Sequence, residues 1–489
     1  MTDKVSLGKL STGVPGLDIL LGGGLSEFSF NLIAGAPGCG KTTLAHQIMF
    51  SLATQERRAL FFTVLGEPPL KMLRYQQQYA FFELGKVGTA IRYVNLADDL
   101  RAGDFTGVLE RIMKEVEDFS PSMVFVDSFR SVAQTARSGN EGVADLQHFI
   151  QELGTRMTSW QATTFLIGEY LHSDVEANPI MTVADGMIAL SQLHEEDSVV
   201  RKIRVVKMRG QAHLAGSHTF RITADGVRVY PRMLPPLAED HHAGAEVDRE
   251  PRRIPTGVPG LDEMLHGGLP QGHSVLVTGP SGCGKTILGT RFLQEGVRQG
   301  EKGVVMSFEK GAARLRNAEL ADLVRAGQVA VVESRMIDLT IDELLDELNH
   351  AIDRTGAQRV VVDSLSEMGL YLAPESRDRL RAVVFRMLAA LAKRGVSVLV
   401  TMGVDDQFTC LKISHADIAY LTDAIILMRY GEADGLLRKF LSVVKVRGSS
   451  HSQDLREYVI TGEGLDIHPQ RTEYEGVVHG LPQAPRAGN

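Results

Sequence analysis

The stretch Gly35-Ala36-Pro37-Gly38-Cys39-Gly40-Lys41-Thr42 recurs later in the chain as Gly279-Pro280-Ser281-Gly282-Cys283-Gly284-Lys285-Thr286. Both match G-x-x-x-x-G-K-S/T, follow an apolar run typical of a strand, and open a segment typical of a helix. The glycines let backbone N–H groups surround phosphate oxygens, and the helix N-terminus adds partial positive charge. Each stretch therefore predicts a phosphate-binding loop (P-loop) between a strand and a helix.

The two loops carry side chains suited to a nucleoside triphosphate and its metal ion. The two lysines are expected to neutralise the β- and γ-phosphates, and Thr42 and Thr286 to hold Mg²⁺. One such match could be a glycine-rich turn that binds nothing, but two at equivalent places leave that alternative little weight. We expect ATP and Mg²⁺ as ligands. The predicted nucleotide-binding residues are Gly35, Gly38, Cys39, Gly40, Lys41, Thr42, Thr43, Gly279, Ser281, Gly282, Cys283, Gly284, Lys285 and Thr286.

The rest of the chain is also duplicated. Ser11-Thr12-Gly13-Val14-Pro15-Gly16-Leu17-Asp18 returns as Pro255-Thr256-Gly257-Val258-Pro259-Gly260-Leu261-Asp262, and Lys-x-Arg-Gly occurs near the end of each half. Apolar strand-like runs alternate with helix-length segments, which indicates an α/β fold with a mostly parallel sheet flanked by helices. Late in each half, crowded strands predict antiparallel additions at one sheet edge. We expect two domains, 1–233 and 254–467, a linker at 234–253 and a tail at 468–489.

Composition narrows the class of protein. The 489 residues carry a net charge of −8, which gives no sign of strong non-specific nucleic-acid binding. The three cysteines, Cys39, Cys283 and Cys410, show neither metal-type spacing nor a disulfide framework, so a reducing cytoplasm is expected. We expect no signal peptide and no membrane span, since no run of about 18 apolar residues occurs.

A P-loop ATPase also needs a carboxylate at the end of a buried strand to position Mg²⁺. The runs Met123-Val124-Phe125-Val126-Asp127 and Val360-Val361-Val362-Asp363 supply one in each half. A strand-ending Asp can instead serve as a turn cap. The matching placement after both P-loops favours the Mg²⁺ role for Asp127 and Asp363.

A general base or water-positioning residue is expected on the strand next to the P-loop strand. In the second half, Val304-Val305-Met306-Ser307-Phe308-Glu309 places Glu309 at a strand end. In the first half, Glu67 follows the run Leu60–Val64 but comes after Gly66, and a solvated loop carboxylate is the alternative interpretation. We predict Glu309, Glu67, Lys41 and Lys285 as catalytic residues.

Lys207-Met208-Arg209 and Lys445-Val446-Arg447 place two cations at alternate positions of a strand, so both project from one face. Two fixed cations on one face suit a clamp on the γ-phosphate bound by a neighbouring subunit. A solvated strand face is the alternative. Recurrence in both halves favours the trans-acting role for Lys207, Arg209, Lys445 and Arg447.

The order of these motifs resembles the KaiC family of RecA-like ATPases. The resemblance rests on Thr-Gly-Val-Pro-Gly-Leu-Asp, the P-loop, the strand-ending Asp, Lys-x-Arg-Gly followed by His213 or His451, and the late run Leu421–Leu427. It implies two tandem RecA-like P-loop NTPase domains, a homohexamer of two stacked rings and ATP bound between subunits. It also implies Ser/Thr autokinase activity in the second ring, with the strand-end Glu as base.

Some positions depart from the family pattern. Ala419-Tyr420 stands where a Ser-Thr phosphoacceptor pair is found in KaiC, and the paired Glu of each ring is Leu65-Gly66 or Glu309-Lys310. The tail resembles that of KaiC only at its start, from Arg471 to Gly480. A KaiA-type activator is therefore not expected, and a KaiB-like partner rests on the resemblance alone.

Three functions fit these residues. The first is a ring ATPase with regulatory or signalling output, with or without autokinase activity. The second is a DNA-dependent ATPase of the RecA/DnaB type, which would need basic pore loops, and no Lys/Arg block is present in the sequence. The third is a scaffold held together by nucleotide in which hydrolysis is vestigial.

Overall fold

The computed structural model describes residues 8–63, 69–101, 105–127, 140–169, 183–195, 198–232, 252–308, 318–333, 338–373, 376, 379–404, 415–433 and 435–472. The chain divides into two compact units, Met1–Met233 and Leu234–Asn489, which we call the N-terminal and C-terminal units.

Within its described residues, the N-terminal unit alternates strands with helices. Its strands are β1 (Lys9–Leu10), β2 (Leu25–Ser26), β3 (Phe30–Gly35), β4 (Ala59–Thr63), β5 (Ile91–Asn95), β6 (Met123–Asp127), β7 (Thr163–Gly168), β8 (Gly186–Glu195), β9 (Ser198–Met208), β10 (His218–Thr223) and β11 (Gly226–Tyr230). Its helices are α1 (Leu17–Leu20), α2 (Lys41–Leu52), α3 (Pro69–Gln76), α4 (Ala97–Arg101), α5 (Phe105–Phe119) and α6 (Asn140–Ser159), with a 3₁₀ turn at Leu84–Lys86.

The C-terminal unit repeats this order. Its strands are β12 (Arg253–Ile254), β13 (Leu269–Pro270), β14 (Ser274–Gly279), β15 (Gly303–Ser307), β16 (Val329–Glu333), β17 (Arg359–Asp363), β18 (Ser397–Gly403), β19 (Ala424–Ala433), β20 (Leu436–Val446), β21 (Leu455–Thr461) and β22 (Gly464–Ile467). Its helices are α7 (Pro259–Met264), α8 (Lys285–Arg298), α9 (Ala318–Arg325), α10 (Ile341–Thr355), α11 (Leu365–Tyr371) and α12 (Leu380–Lys393), with a 3₁₀ segment at His415–Leu421.

Each unit is built on one nine-stranded sheet, counted over the described residues. The orders are β11-β10-β9-β8-β3-β7-β6-β4-β5 and β16-β15-β17-β18-β14-β19-β20-β21-β22. Six strands of each sheet run parallel, and β9–β11 or β20–β22 are added antiparallel at one edge. The predicted α/β class, with a mostly parallel sheet and antiparallel late strands, is confirmed.

Apolar side chains from alternate strand residues fill both faces of each sheet. In β4, Phe61 packs with α1 and α2 on one face, whereas Leu60 and Phe62 pack with α5 and α6 on the other. Strands buried on both faces explain the nearly continuous apolar runs of the sequence. The P-loops begin at the carboxyl ends of β3 and β14, between these two packed faces.

The sheet order corrects one expectation. The strand that leads to Glu309, β15, does not lie next to the P-loop strand; it pairs with β16 and with β17, the strand that ends in Asp363. The P-loop strand β14 instead lies between β18 and β19. In a parallel sheet the neighbours are set by crossover connections, so strands adjacent in sequence need not be adjacent in space.

The duplicated Thr-Gly-Val-Pro-Gly-Leu-Asp motif forms a local turn at the start of α1 and α7. Asp18 accepts hydrogen bonds from the Thr12 backbone N–H at 2.8 Å and from its hydroxyl at 2.7 Å. Asp262 accepts the same pair from Thr256 at 2.7 and 2.8 Å. These hydrogen bonds explain the motif structurally, because each Asp carboxylate satisfies a backbone N–H and closes one tight turn.

Candidate functional site

The N-terminal P-loop joins the end of β3 to the start of α2. Gly38 and Gly40 have φ of 76° and 104°, in the left-handed region that side chains disfavour, so glycine is required for the loop to curl. A Cβ on Gly38 would meet no atom within 4 Å, which leaves open space on the side where a phosphate would approach. The Lys41 side chain, only 7% exposed, donates to the Ala36 carbonyl at 2.9 Å.

The C-terminal P-loop has the same form. Gly282 and Gly284 have φ of 78° and 101°, and the Lys285 ammonium donates to the carbonyls of Gly279 and Pro280 at 2.8 and 2.7 Å. In each unit the lysine is therefore held across its own loop by carbonyl oxygens. An ammonium in this position can exchange those carbonyls for phosphate oxygens when a nucleotide enters.

The two P-loop cysteines pack their sulfur atoms beneath their own loops, against Gly35 and Gly279. Cys39 and Cys283 are fully buried in the cores formed around α2 and α8. Burial raises the pKa of both thiols, while the neighbouring P-loop lysines act in the opposite direction. Only their backbone groups are therefore placed to contribute to phosphate binding.

Asp127 and Thr42 meet in the N-terminal unit. The Thr42 hydroxyl donates to the Asp127 carboxylate at 2.7 Å, which joins the start of α2 to the end of β6. Burial raises the pKa of Asp127 to about 6; Thr42 and Lys41 oppose the rise, and Glu169 adds to it. A hydroxyl and a carboxylate, both oxygen donors beside the P-loop lysine, fit the ligand preference of Mg²⁺.

Asp363 makes a different contact in the C-terminal unit. Its carboxylate accepts a hydrogen bond from the Thr401 hydroxyl of the neighbouring strand β18. Thr286 is exposed at the start of α8. The strand-ending carboxylate thus lies at the equivalent sheet edge in both units, but its hydroxyl partner comes from a different element in each.

A cavity of about 580 Å³ opens beside the N-terminal P-loop. Its walls come from the P-loop, from the carboxyl ends of three parallel strands, from α3 and from the antiparallel edge. The lining residues are Pro37, Gly38, Gly40, Lys41, Thr42, Thr43, Thr63, Met72, Tyr75, Gln76, Tyr79, Asp127, Glu169, Arg201 and Ile222. Five of the residues predicted to bind nucleotide at this loop line the cavity, namely Gly38, Gly40, Lys41, Thr42 and Thr43, together with the predicted metal ligand Asp127.

The cavity brings in residues that the sequence patterns did not single out. Arg201 reaches it from β9, Tyr79 from the segment after α3, and Glu169 from the residue after β7. None of these belongs to a short motif. The signal that could have found Glu169 is its position, because it follows β7 directly and the carboxyl ends of parallel strands share one sheet edge.

The Lys-x-Arg pairs lie at the opposite edge of their own sheets. Arg209 donates to Asp185 at 3.2 Å, and Asp185 also accepts from the Phe30 backbone N–H, at the start of β3, at 3.0 Å. Burial lowers the pKa of Lys207, the Arg209 cation lowers it further, and Asp185 opposes both. The six residues of β3 separate this group from the P-loop, a distance of about 20 Å.

The same arrangement recurs in the C-terminal unit. Arg447 donates to Asp423 at 3.4 Å and to the Tyr420 carbonyl at 2.8 Å, while Lys445 donates to the Thr422 carbonyl at 2.7 Å. Asp423 accepts from the Ser274 backbone N–H at the start of β14 at 2.9 Å. Neither pair can reach the P-loop of its own unit.

The two remaining predicted catalytic residues, Glu67 and Glu309, lie outside the described residues. Over the described part of the chain, no group of three or more His, Cys, Asp and Glu side chains is gathered as a metal site. No helix among the described residues is long and apolar enough to cross a membrane.

The duplicated sheet and its phosphate loops define a P-loop ATPase. A family model described as the KaiC ATPase matches residues 10–233 and again residues 254–472. The chain belongs to this KaiC family, and the resemblance drawn from the sequence is confirmed.

Similar proteins include several described as circadian clock oscillator protein KaiC. The KaiC protein of Thermostichus vulcanus is 26% identical, over 97% of this chain and 92% of its own. The KaiC protein of Prochlorococcus marinus strain MIT 9313 is 27% identical, over 97% and 95%. KaiC 1 of Synechocystis is 26% identical, over 97% and 92%.

Proposed function

We propose that the chain binds ATP with Mg²⁺ at both P-loops and hydrolyses it within an assembly of identical subunits. The observation that carries this proposal is the contact of Thr42 with Asp127 beside Lys41, at the mouth of a cavity large enough for a nucleotide. A lysine, a hydroxyl and a strand-end carboxylate at one P-loop match the requirements of phosphoryl transfer.

The chain's own residues account for binding. Backbone N–H groups of the curled loop and the start of α2 face the phosphates, and Lys41 supplies a fixed cation. Thr42 and Asp127 would hold Mg²⁺, which neutralises charge on the β- and γ-phosphates. Tyr75 and Tyr79 lie on the α3 side of the cavity, where a base can stack on an aromatic ring.

We further propose that Lys207 and Arg209 act on the nucleotide of a neighbouring subunit, and Lys445 and Arg447 likewise. Their distance of about 20 Å from their own P-loop excludes a role in that site. Asp185 and Asp423 hold the arginines at a fixed place on the sheet edge. A cation held at this edge suits a γ-phosphate clamp supplied in trans.

The KaiC relatives, whose names describe clock oscillators, support a regulatory or signalling output rather than a DNA motor. Autokinase activity has less support from the acceptor segment. Thr422 is 1% exposed and its hydroxyl donates to the Ala419 carbonyl at 3.2 Å, whereas Tyr420 is 70% exposed. We therefore propose hydrolysis to free phosphate as the main outcome of turnover.

The test replaces each P-loop lysine. Lys41→Ala and Lys285→Ala should each lower turnover at the altered site by about 100-fold or more, and the double variant should no longer retain ATP on gel filtration. Lys114→Ala, an exposed lysine of α5, is the matched control and should change neither property. Retention of ATP by the double variant would contradict the proposal.

Two further measurements separate the alternatives. Incubation with ATP labelled at the γ-phosphate distinguishes free phosphate from label bound to protein, and stable protein-bound label would favour an autokinase. Strong stimulation by single-stranded DNA that disappears at high salt would favour the RecA/DnaB-type function. Nucleotide binding without phosphate release would favour the scaffold.

A further inference from the structure

Glu169 lies at the sheet edge that carries the N-terminal P-loop. It follows β7, the strand inserted between the P-loop strand β3 and the Asp127 strand β6. Gly168 pairs in register with Ala34 of β3, and Ile167 with Asp127. The backbone therefore places Glu169 between the loop that binds the phosphates and the carboxylate assigned to Mg²⁺.

The side chain of Glu169 reaches the same cavity. It lines the wall together with Lys41, Thr42 and Asp127. Glu169 is the other acidic residue, beside Asp127, among those that line this cavity.

Thr63 contributes to the cavity wall from β4, the strand beyond β6. It ends β4, where it pairs in register with Asp127, and it is 6% exposed. Its hydroxyl has no hydrogen-bond partner among the described residues. A buried hydroxyl without a protein partner costs free energy unless a water or ligand satisfies it, so Thr63 marks a polar position in the wall of the cavity.

We propose that Glu169 and Thr63 hold the water that attacks the γ-phosphate in the N-terminal site. This inference rests on the proposed function. The water oxygen forms a bond to the γ-phosphorus as the bond from that phosphorus to the β–γ bridging oxygen breaks, and ADP leaves with the electron pair. Glu169 accepts the proton released by the water and returns it to the phosphate product or to solvent.

The two units differ at this position. Gly403 ends β18, the strand that corresponds to β7, at the place that matches Glu169, and it carries no side chain. Ser307 pairs with Asp363 as Thr63 pairs with Asp127, so a hydroxyl is kept in both units. This carboxylate is therefore present at the N-terminal P-loop and replaced by glycine at the C-terminal one.

The test uses the full-length chain with Lys285→Ala, so that phosphate release comes from the N-terminal site. Glu169→Gln keeps the size of the side chain and removes its ability to accept a proton. We expect it to lower kcat by about 100-fold or more while KM and ATP retention stay within about threefold. Thr63→Val should lower kcat less, by about tenfold.

Two controls complete the design. Glu117→Gln alters an exposed acid of α5 in the same unit and should leave kcat unchanged. Glu67→Gln tests the carboxylate predicted from the sequence and should lower kcat less than Glu169→Gln. Equal kcat for Glu169→Gln and its parent, or a loss that appears only in KM, would overturn the inference. A parent that binds ATP yet releases no phosphate would instead overturn hydrolysis at this site, and the inference with it.

Discussion

His46 and Thr290 occupy the same place, one turn into the P-loop helices α2 and α8. His46 Nδ1 donates to the Thr42 carbonyl at 2.7 Å, and the Thr290 hydroxyl donates to the Thr286 carbonyl at 3.0 Å. His46 is fully buried against Phe61 and other aromatic rings, and burial lowers its pKa to about 4. The histidine is therefore neutral in the folded N-terminal unit at neutral pH.

This burial predicts a pH-dependent stability. Between pH ~4 and ~6.5 the unfolded chain binds a proton at His46 that the folded chain does not, so stability rises with pH in this window. Folding therefore loses at most about 3 kcal/mol of stability from this residue as pH falls from ~6.5 to ~4, and the loss is complete below pH ~4. His46→Thr, the residue of the other unit, should flatten this dependence.

Trp160 supplies the measurement. It is the single tryptophan of the chain and lies in the N-terminal unit, so its fluorescence follows the unfolding of that unit. Denaturant titrations at several pH values should give a smaller slope of unfolding free energy against pH for His46→Thr than for the parent. The slope is the criterion, because the smaller side chain also leaves a cavity that lowers stability at every pH. An unchanged slope would contradict the assignment to His46.

Three residues of the N-terminal unit adopt left-handed backbone conformations without being glycine. Phe28, Ser120 and Gln161 have φ of 61°, 48° and 56°, and each lies two or three residues before a parallel strand. At the corresponding positions the C-terminal unit has Gly272, Gly356 and Gly395, with φ of 79°, 70° and 67°. The same turns therefore contain non-glycine residues in the N-terminal unit and glycine in the C-terminal unit.

A substitution at one of these turns should raise stability. Ser120→Gly removes a left-handed strain of about 1–2 kcal/mol and adds about 0.5–1 kcal/mol of backbone entropy to the unfolded chain, so the net gain is about 1 kcal/mol. The unfolding midpoint of Trp160 fluorescence should rise by about 2–4 °C. The reciprocal Gly356→Ala should lower the C-terminal unit's calorimetric midpoint by a similar amount. A fall on Ser120→Gly would show that the serine side chain stabilises this turn.

At the scale of elements, the sequence predicted the parts of the site that lie in contiguous motifs. The P-loops, the strands that end in Asp127 and Asp363, and the antiparallel late strands follow from local patterns, and the structure contains these strands. The regularity has a physical source, because a loop that curls around phosphate needs glycine at fixed positions and a strand buried on both faces must be apolar. Requirements of this kind can be recognised from a few consecutive residues of the sequence.

What the sequence could not supply was the order of the strands. Glu169 joins the cavity because β7 lies between β3 and β6, and Glu309 follows a strand that is not adjacent to the P-loop strand. The crossover connections of a parallel sheet are right-handed, but the number of strands that each connection passes over depends on packing among distant segments. The residues next to a carboxylate in the sequence therefore do not indicate which site that carboxylate will join.

The whole assembly is the scale at which the trans-acting cations can be tested. Both variants are made in the Lys285→Ala background. Lys41→Ala removes the P-loop lysine of a subunit's own N-terminal site. The Lys207→Ala, Arg209→Ala double variant removes the two cations that the subunit would supply to the site of its neighbour. Each should be inactive alone. Mixed in equal amounts before assembly, they should recover about one quarter of the N-terminal activity, because that share of head-to-tail contacts joins two intact halves.

The control for this experiment places all three changes in one chain. Mixing Lys41→Ala with the chain that carries Lys41→Ala, Lys207→Ala and Arg209→Ala leaves no P-loop lysine and should recover nothing. Recovery equal to that of the first mixture would contradict the role of Lys41. Full activity of the Lys207→Ala, Arg209→Ala variant by itself would contradict the role of the cations.

The polarity of each sheet has a consequence for assembly geometry. Because the P-loop lies at one end of β3 and the Asp185–Arg209 pair at the other, the proposed action in trans would require a heterologous contact, in which two subunits use unlike faces. Two copies joined in this way leave one face of each kind without a partner. Further copies therefore add until the rotation between successive copies closes a ring. A closed ring would then hold as many complete N-terminal sites as it has chains, whereas a lone chain would hold none.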